Sequence, residues 1–254
     1  MAIVTGASKG LGRACAEALA REGARLVISA RTAPDLDRVA GEIHGRTGAD
    51  IAYFAGDMGD PATADRLVRF TAEKFGAVDI LINNAGGPSA LPFSETDDDG
   101  YRVALQRNLL GNIRLIHAAI GPMRKRKWGR VLSITSFGGR QPIPSMYYSN
   151  TARAAMHGFS KTLAHETAAD GITVNCVCPG YILTDRLRGF ISMMAGQTGM
   201  TREAYEAQTL RDVPAGRFGT PEEFANVVAF LASERAGYLT GSLITIDGGL
   251  VKGL

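Results

Sequence analysis

The chain has 254 residues, of which 45% are hydrophobic, and its 28 Lys and Arg residues stand against 25 Asp and Glu residues. This composition excludes a disordered chain, and a net charge of +3 is too small to indicate a nucleic-acid partner or a membrane surface. Three cysteines cannot make a disulfide framework, and neither a signal peptide nor a long apolar run is present. We therefore expect a soluble, cytoplasmic protein.

Short apolar runs alternate with helical stretches along the chain. The runs typical of buried strands lie at 2–5, 25–30, 51–55, 78–83, 130–135, 172–179 and 243–247. Helices are predicted at about 11–22, 35–47, 61–75, 100–127, 150–169 and 221–233. This alternation predicts one α/β domain over 1–254, with a Rossmann-type doubly wound parallel sheet of about seven strands.

The segment 185–215 departs from this regular pattern, because it mixes methionines and aromatic residues with glycines and shows no clean apolar stripe. Two interpretations stay open. The segment is either a mobile substrate flap over a ligand, or an irregular helix pair that fills a contact between subunits.

A glycine-rich turn, Thr5-Gly6-Ala7-Ser8-Lys9-Gly10-Leu11-Gly12, follows the first strand and precedes the first helix. In this order of elements, backbone N–H groups and the positive end of the helix dipole meet a pyrophosphate. The turn therefore predicts a nucleotide site built from Gly6, Ser8, Lys9, Gly10, Leu11 and Gly12.

Other candidate binding residues follow later strands. Asp57 and Met58 follow the third strand, Asn83-Asn84-Ala85-Gly86 closes the fourth, and Pro179-Gly180 ends the sixth. Because open α/β sheets bind ligands at the carboxyl ends of their strands, we expect these segments to share one crevice with the glycine turn.

These motifs, in this order, resemble the short-chain dehydrogenase/reductase family. The glycine turn is similar to the TGxxxGxG cofactor turn of that family, and the segments at 83–86 and 179–180 are similar to its NNAG and PG motifs. The resemblance implies a nicotinamide cofactor, a small-molecule substrate and a homotetramer. It also implies further cofactor contacts from Asp57, Met58, Asn84, Ala85, Gly86, Arg153, Pro179, Gly180, Ile182 and Thr184.

The end of the second strand bears on which cofactor is bound. An Asp or Glu for the ribose 2′-OH of NAD normally stands there, but this chain reads Ser29-Ala30-Arg31. Arg31 and Lys9 can hold a 2′-phosphate, which favours NADP(H) over NAD(H). The alternative is that Arg31 points into solvent and that Asp35 or Asp37, both beyond Pro34, binds the ribose.

The family resemblance also implies a hydride transfer to a carbonyl, with a Tyr as proton donor and a Lys four residues later. Ser136 matches the Ser that orients the substrate, and Asn108 matches the Asn of a water relay. Counting along the helix that follows, Ser149 stands at the Tyr position and Arg153 at the Lys position. The expected YxxxK pair is thus replaced.

Tyr148 is the nearest phenol to the replaced pair. It lies five residues from Arg153, so on one continuous helix the two side chains face in different directions. Tyr148 reaches the site as an acid only if the helix begins after it.

Three functions remain open on this evidence. The chain is a carbonyl reductase that uses Ser136, Tyr148 or water with help from Arg153; it reduces an iminium or hemiaminal carbon that needs no tyrosine acid; or it is a non-catalytic NADPH sensor or scaffold. No metal site is predicted, because the four histidines lack metal-ligand spacing and instead suit ordinary helix positions. Asp97-Asp98-Asp99 suits the positive end of the helix that follows it.

Overall fold

A computed structural model describes residues 1–253 and contains seven strands in one sheet. In chain order these are β1 Ala2–Thr5, β2 Leu26–Ala30, β3 Ile51–Ala55, β4 Ile80–Asn83, β5 Gly129–Ile134, β6 Ile172–Pro179 and β7 Leu243–Ile246. Their spatial order is β3-β2-β1-β4-β5-β6-β7, and all neighbours are parallel. The predicted doubly wound parallel sheet is confirmed.

Helices cover both faces of this sheet. They are α1 Gly10–Arg21, α2 Ala33–Thr47, α3 Thr63–Phe75, α4 Asp98–Leu105, α5 Gly111–Arg126, α6 Tyr147–Thr167, α7 Asp185–Thr198, α8 Arg202–Leu210 and α9 Pro221–Ala232. One apolar core joins α1, α2 and α9 to the sheet, and a second joins α3, α5 and α6 to the opposite face. Within residues 1–253, no helix is both long and apolar enough to cross a bilayer.

The single helix predicted over 100–127 is wrong in one respect, because a π-helical turn at Gln106–Leu110 separates α4 from α5. Two asparagine side chains donate hydrogen bonds to backbone carbonyls there. Asn108 Nδ2 donates to the Ala104 carbonyl and Asn112 Nδ2 donates to the Asn108 carbonyl, each at 3.2 Å. Turns of this kind occur often at functional sites. Asn108 lies within this turn and is buried.

The segment 185–215 is more regular than its composition indicates. It forms α7 and α8, whose N-termini are capped by the hydroxyls of Thr184 and Thr201. Glycine ends α7, because Gly199 adopts a left-handed conformation with φ of 67°. The segment is thus a pair of regular helices, and the choice between a flap and a subunit contact stays a prediction.

The strand order reverses beside β1. The chain moves outward from β1 through β2 to β3, then returns to β4 on the other side of β1. The carboxyl ends of β1 and β4 thus border the crevice in which open sheets bind ligands. This edge carries the glycine turn and the Asn83–Gly86 segment.

Candidate active site

The glycine turn has no room for larger side chains at its crucial positions. Gly6 and Gly10 both have φ of 59°, which side chains rarely adopt. A Cβ on Gly6 would lie 2.7 Å from the Asn84 carbonyl oxygen, and a Cβ on Gly12 would collide with the Gly6 carbonyl oxygen. The turn therefore presents bare backbone at the N-terminus of α1, where a phosphate group binds.

Asn84 and Thr5 fix this turn to the neighbouring strand. The Asn84 backbone N–H donates to Thr5 Oγ1 at 2.8 Å, and Thr5 Oγ1 donates to the Asn84 carbonyl at 2.9 Å. Asn84 Nδ2 also donates to the Gly6 carbonyl at 3.2 Å. Asn84, predicted as a cofactor contact, thus also positions the turn.

Two cations are free at the outer end of the crevice. Lys9 directly precedes α1 and Arg31 directly follows β2; both are exposed, and neither has a salt bridge or side-chain hydrogen bond within residues 1–253. Asp35 and Asp37 lie on α2 and are also exposed. An anion that reached Lys9 and Arg31 would therefore displace no protein carboxylate.

Other predicted cofactor residues follow the carboxyl ends of their strands, Asp57 after β3 and Gly180 and Ile182 after β6. Asp57 Oδ1 accepts the Gly59 N–H at 2.8 Å, and Asp57 Oδ2 lies 3.5 Å from Arg107 Nη2. A Cβ on Gly180 would lie 2.5 Å from Asp247 Cβ, which explains the glycine there. Ile182 is buried beside β-bridged Gly219.

The start of α7 abuts the glycine turn. The Thr184 methyl group lies 3.7 Å from the position that a Cβ on Gly10 would take. Thr184 also caps α7 by accepting the Leu187 N–H. The two helix N-termini, of α1 and α7, therefore meet at the predicted pyrophosphate position.

Arg153 lies at the carboxyl edge, with only 5% of its surface exposed. Its Nη1 donates to the Ile134 carbonyl at 2.9 Å, and its Nη2 donates to the Ala85 carbonyl at 3.0 Å. Burial, with a smaller effect from the positive charge of Arg186, lowers the Arg153 pKa to about 10. Nε has no hydrogen-bond partner, and no acid of the described chain forms an ion pair with this guanidinium.

The two serines and the asparagine predicted beside Arg153 are placed by separate elements. Ser136 follows β5 and caps a short turn, Phe137–Gly139, with its hydroxyl accepting the Gly138 N–H at 3.0 Å. Ser149 is buried in the first turn of α6 and forms no side-chain hydrogen bond to residues 1–253. Asn108 is buried, and its Oδ1 lacks a partner.

The structure does not bring Tyr148 to Arg153. Helix α6 begins at Tyr147, so the condition that it begin after Tyr148 is not met. The Tyr148 hydroxyl accepts the Asp97 N–H at 2.8 Å, and its ring packs edge-on against Tyr101 above Gly100. Tyr148 therefore supports the start of α4, where Asp97 caps the helix as predicted.

Sequence reasoning missed Arg186, which lies in the first turn of α7. Its Nη1 donates to the Gly87 carbonyl at 2.7 Å, and its Nη2 to the Pro88 carbonyl at 2.9 Å. A cation in the first turn of a helix opposes the helix dipole. That unfavourable placement was the sequence signal that could have singled it out.

His157, interpreted from the sequence as an ordinary helix residue, is instead buried behind Arg153. Its Nε2 lies 2.9 Å from Thr135 Oγ1 and 3.6 Å from Cys178 Sγ. Burial, aided by the charges of Arg153 and Arg140, lowers its pKa from 6.5 to about 4. The folded protein therefore holds this ring neutral.

The neutral ring makes stability depend on pH. Between about pH 4 and 6.5, His157 is protonated in the unfolded chain and neutral in the folded protein. The folded state is therefore most stable, with respect to this group, above pH 6.5, and it loses stability as the pH falls toward 4. We expect a loss of up to about 3 kcal/mol in the free energy of unfolding, measured by urea denaturation. Acidification should lower the free energy of unfolding of His157→Gln by about 3 kcal/mol less than that of the parent. The control His165→Gln, on the exposed face of α6, should behave like the parent. Equal acid sensitivity of parent and His157→Gln would contradict this.

Comparison with known proteins agrees with this geometry. Residues 6–251 match the family model described as "Enoyl-(Acyl carrier protein) reductase". The chain is 37% identical over 250 residues to the 3-oxoacyl-[acyl-carrier-protein] reductase FabG of Escherichia coli, covering 98% of this chain and 96% of that one.

Two solved structures are also similar over the whole chain. YwfH, described as an NADPH-dependent reductase involved in bacilysin biosynthesis, superposes with a TM-score of 0.95 at 32% identity, covering 100% of this chain and 98% of the other. L-Sorbose reductase from Gluconobacter frateurii, in complex with NADPH and L-sorbose, gives 0.94 at 35%, with coverage of 100% and 97%. The predicted NADP(H) agrees with both descriptions. The chain is an oxidoreductase that belongs to the short-chain dehydrogenase/reductase family.

Proposed function

We propose that the protein reduces the carbonyl group of a small molecule with NADPH, through an active site in which Ser149 and Arg153 replace the tyrosine and lysine of the family. One observation carries this proposal most directly. The guanidinium of Arg153 is buried, has no Asp or Glu partner among residues 1–253, and lies at the same sheet edge as the glycine turn. A nucleotide site and a fixed positive charge therefore meet where the carbonyl would react.

The residues present fit the cofactor. The bare backbone of the turn suits the pyrophosphate, and Lys9 and Arg31 suit a 2′-phosphate because no acid of the described chain neutralises them. When bound, NADPH supplies the hydride. The neighbouring segments Asn84–Gly86 and Pro179–Thr184 border the same space and support the predicted contacts there.

Arg153 has the charge needed at the acceptor oxygen. Hydride addition to a carbonyl leaves negative charge on the oxygen, and a preorganised cation in a water-poor site stabilises such charge strongly. Arg153 does not readily give up its own proton. We therefore assign it an electrostatic role, with the hydroxyls of Ser136 and Ser149 donating hydrogen bonds and water supplying the proton.

The two other functions fit the charges less well. An iminium acceptor is a cation, and Arg153 and Arg186 would both repel it. A non-catalytic sensor would not need the buried guanidinium of Arg153. A buried charge without an acidic partner destabilises the folded protein. Reduction of a neutral or anionic carbonyl compound is the function that the charges favour.

Helices α7 and α8 bear on access to this site. Because α7 begins beside the glycine turn, movement of this segment would open or cover the crevice. We propose that 185–215 acts as the substrate flap, and that the chain assembles as a homotetramer like many members of its family.

Stereospecifically deuterated NADPH tests the proposal. We expect deuterium at the carbinol carbon when the protein is given a panel of ketones, and none in matched panels of imines and hemiaminals. Transfer to imines alone would favour the iminium function. Binding of NADPH without transfer to any panel would favour the sensor.

A further inference from the structure

Arg186 and Arg153 reach the same point of the active site from different elements. A Cβ placed on Gly87 would lie 2.8 Å from Arg186 Nη2 and 3.9 Å from Arg153 Nη2. Arg186 comes from the first turn of α7, whereas Arg153 comes from α6. Two guanidinium groups thus converge beside the loop that follows β4.

Both guanidinium groups keep unused donors. An arginine carries five N–H donors, and the bonds of each side chain go only to two backbone carbonyls. Arg153 Nε is buried without any partner. No Asp or Glu in residues 1–253 lies within ion-pair distance of either group, so carbonyl oxygens hold them in place and leave their charge uncompensated.

This arrangement is unfavourable in the free protein. Arg186 is exposed on one side, and its partial desolvation lowers its pKa; Arg153 is buried, and its pKa is lowered by that burial and by the charge of Arg186. The position of Arg186 in the first turn also opposes the dipole of α7. Each of these costs becomes smaller when an anion binds between the two groups.

We propose that Arg186 and Arg153 form a subsite for an anionic group, a carboxylate or a phosphate, carried by the molecule that is reduced. This inference rests on the proposed carbonyl reduction and adds the class of its substrate. Arginine pairs bind such groups because the planar fork matches two oxygen atoms at once. The substrate would then be an oxo acid or an oxo phosphate ester.

The cofactor phosphates are a less suitable occupant. The pyrophosphate position is at the glycine turn, where the N-termini of α1 and α7 meet, and the 2′-phosphate position is at Lys9 and Arg31. The Arg186 side chain instead binds Gly87 and Pro88, which follow the Asn84–Gly86 segment. The Arg186 guanidinium is therefore held beside Gly87 and Arg153 and not at the glycine turn.

Matched acceptor pairs test the subsite. Acetoacetate is compared with methyl acetoacetate, and dihydroxyacetone phosphate with dihydroxyacetone, by following the oxidation of NADPH. In at least one pair we expect the anion to have the higher kcat/KM, and Arg186→Gln to lower it about 10- to 100-fold while the neutral partner changes little. Arg188→Gln removes an exposed charge two residues further along α7 and should leave both rates unchanged.

Measurements of anion binding test the subsite independently of whether the protein reduces a carbonyl. The Kd of each anion for the NADPH-loaded protein and the Kd of NADPH are measured by calorimetry for the parent and for Arg186→Gln. Weaker anion binding with unchanged NADPH binding supports the subsite even if no acceptor is reduced. A variant that loses NADPH affinity instead, or a parent that prefers the neutral member of both pairs, overturns it.

Discussion

Replacing Ser149 with Tyr and Arg153 with Lys together is expected to raise kcat for ketone reduction by about 10²-fold or more. A phenol with a pKa near 10 can be tuned into a general acid, whereas a serine hydroxyl is far too weakly acidic. Positioned acid catalysis contributes roughly 10² to 10⁴ in rate. The double variant restores the pair that the family resemblance implies.

The exchange has a cost in stability, because both positions are buried. Ser149 is buried without a side-chain hydrogen bond to the described residues, so its replacement breaks none. Arg153→Lys removes a guanidinium that donates to the Ile134 and Ala85 carbonyls, and an ammonium cannot hold both with the same geometry. Arg153→Lys alone should therefore lower activity, and the gain should require both changes.

Two matched variants isolate the phenol hydroxyl. The double variant Ser149→Phe with Arg153→Lys has nearly the same bulk and no acid, and it should show no gain. Tyr148→Phe should keep the parent rate, because its hydroxyl serves Asp97 and not the site. Steady-state kinetics on one ketone with saturating NADPH compares these four variants with the parent. An equal gain in the phenylalanine variant would contradict the assignment.

The sequence predicted best those parts of the molecule that depend on near neighbours. The strand, glycine turn and helix from Ala2 to Arg21 follow from local rules: a buried apolar run, glycines where φ is positive, and a helix start. The register of Arg153 on α6 could be counted along the chain. Each of these features was predictable before any tertiary contact was known.

Tertiary contacts decided the rest. Arg186 meets Gly87 and Pro88 across nearly a hundred residues, so no periodicity links them. The hydrogen bond from the Asp97 N–H to the Tyr148 hydroxyl joins residues 51 positions apart and was equally hidden. The π turn at Asn108 likewise depends on side-chain amides competing for carbonyls, which apolar patterning does not reveal.

Arg31→Asp is expected to reverse the cofactor preference, from NADPH toward NADH. The change removes the free cation at the end of β2 and places a carboxylate where NAD-binding folds hold the ribose 2′-OH. A charge-assisted hydrogen bond contributes about 1.5 to 3 kcal/mol, so losing it and adding repulsion should shift the ratio of the two Kd values by about 10²-fold or more. Calorimetric titration of both reduced cofactors measures this ratio.

Two control variants distinguish a local effect of Arg31 on the cofactor from an effect of the net charge of the protein. Lys9→Ala removes the second cation and should shift the same ratio less, because it leaves Arg31 and adds no repulsion. Arg69→Asp makes the same change in net charge on the exposed face of α3, where salt screens any effect on the crevice, and it should leave the ratio unchanged. If Arg31→Asp kept the parent ratio, Arg31 would point into solvent and an acid of α2, Asp35 or Asp37, would be the ribose ligand. Replacing those two acids with Asn would then lower NADH affinity, an effect that the 2′-phosphate assignment does not expect.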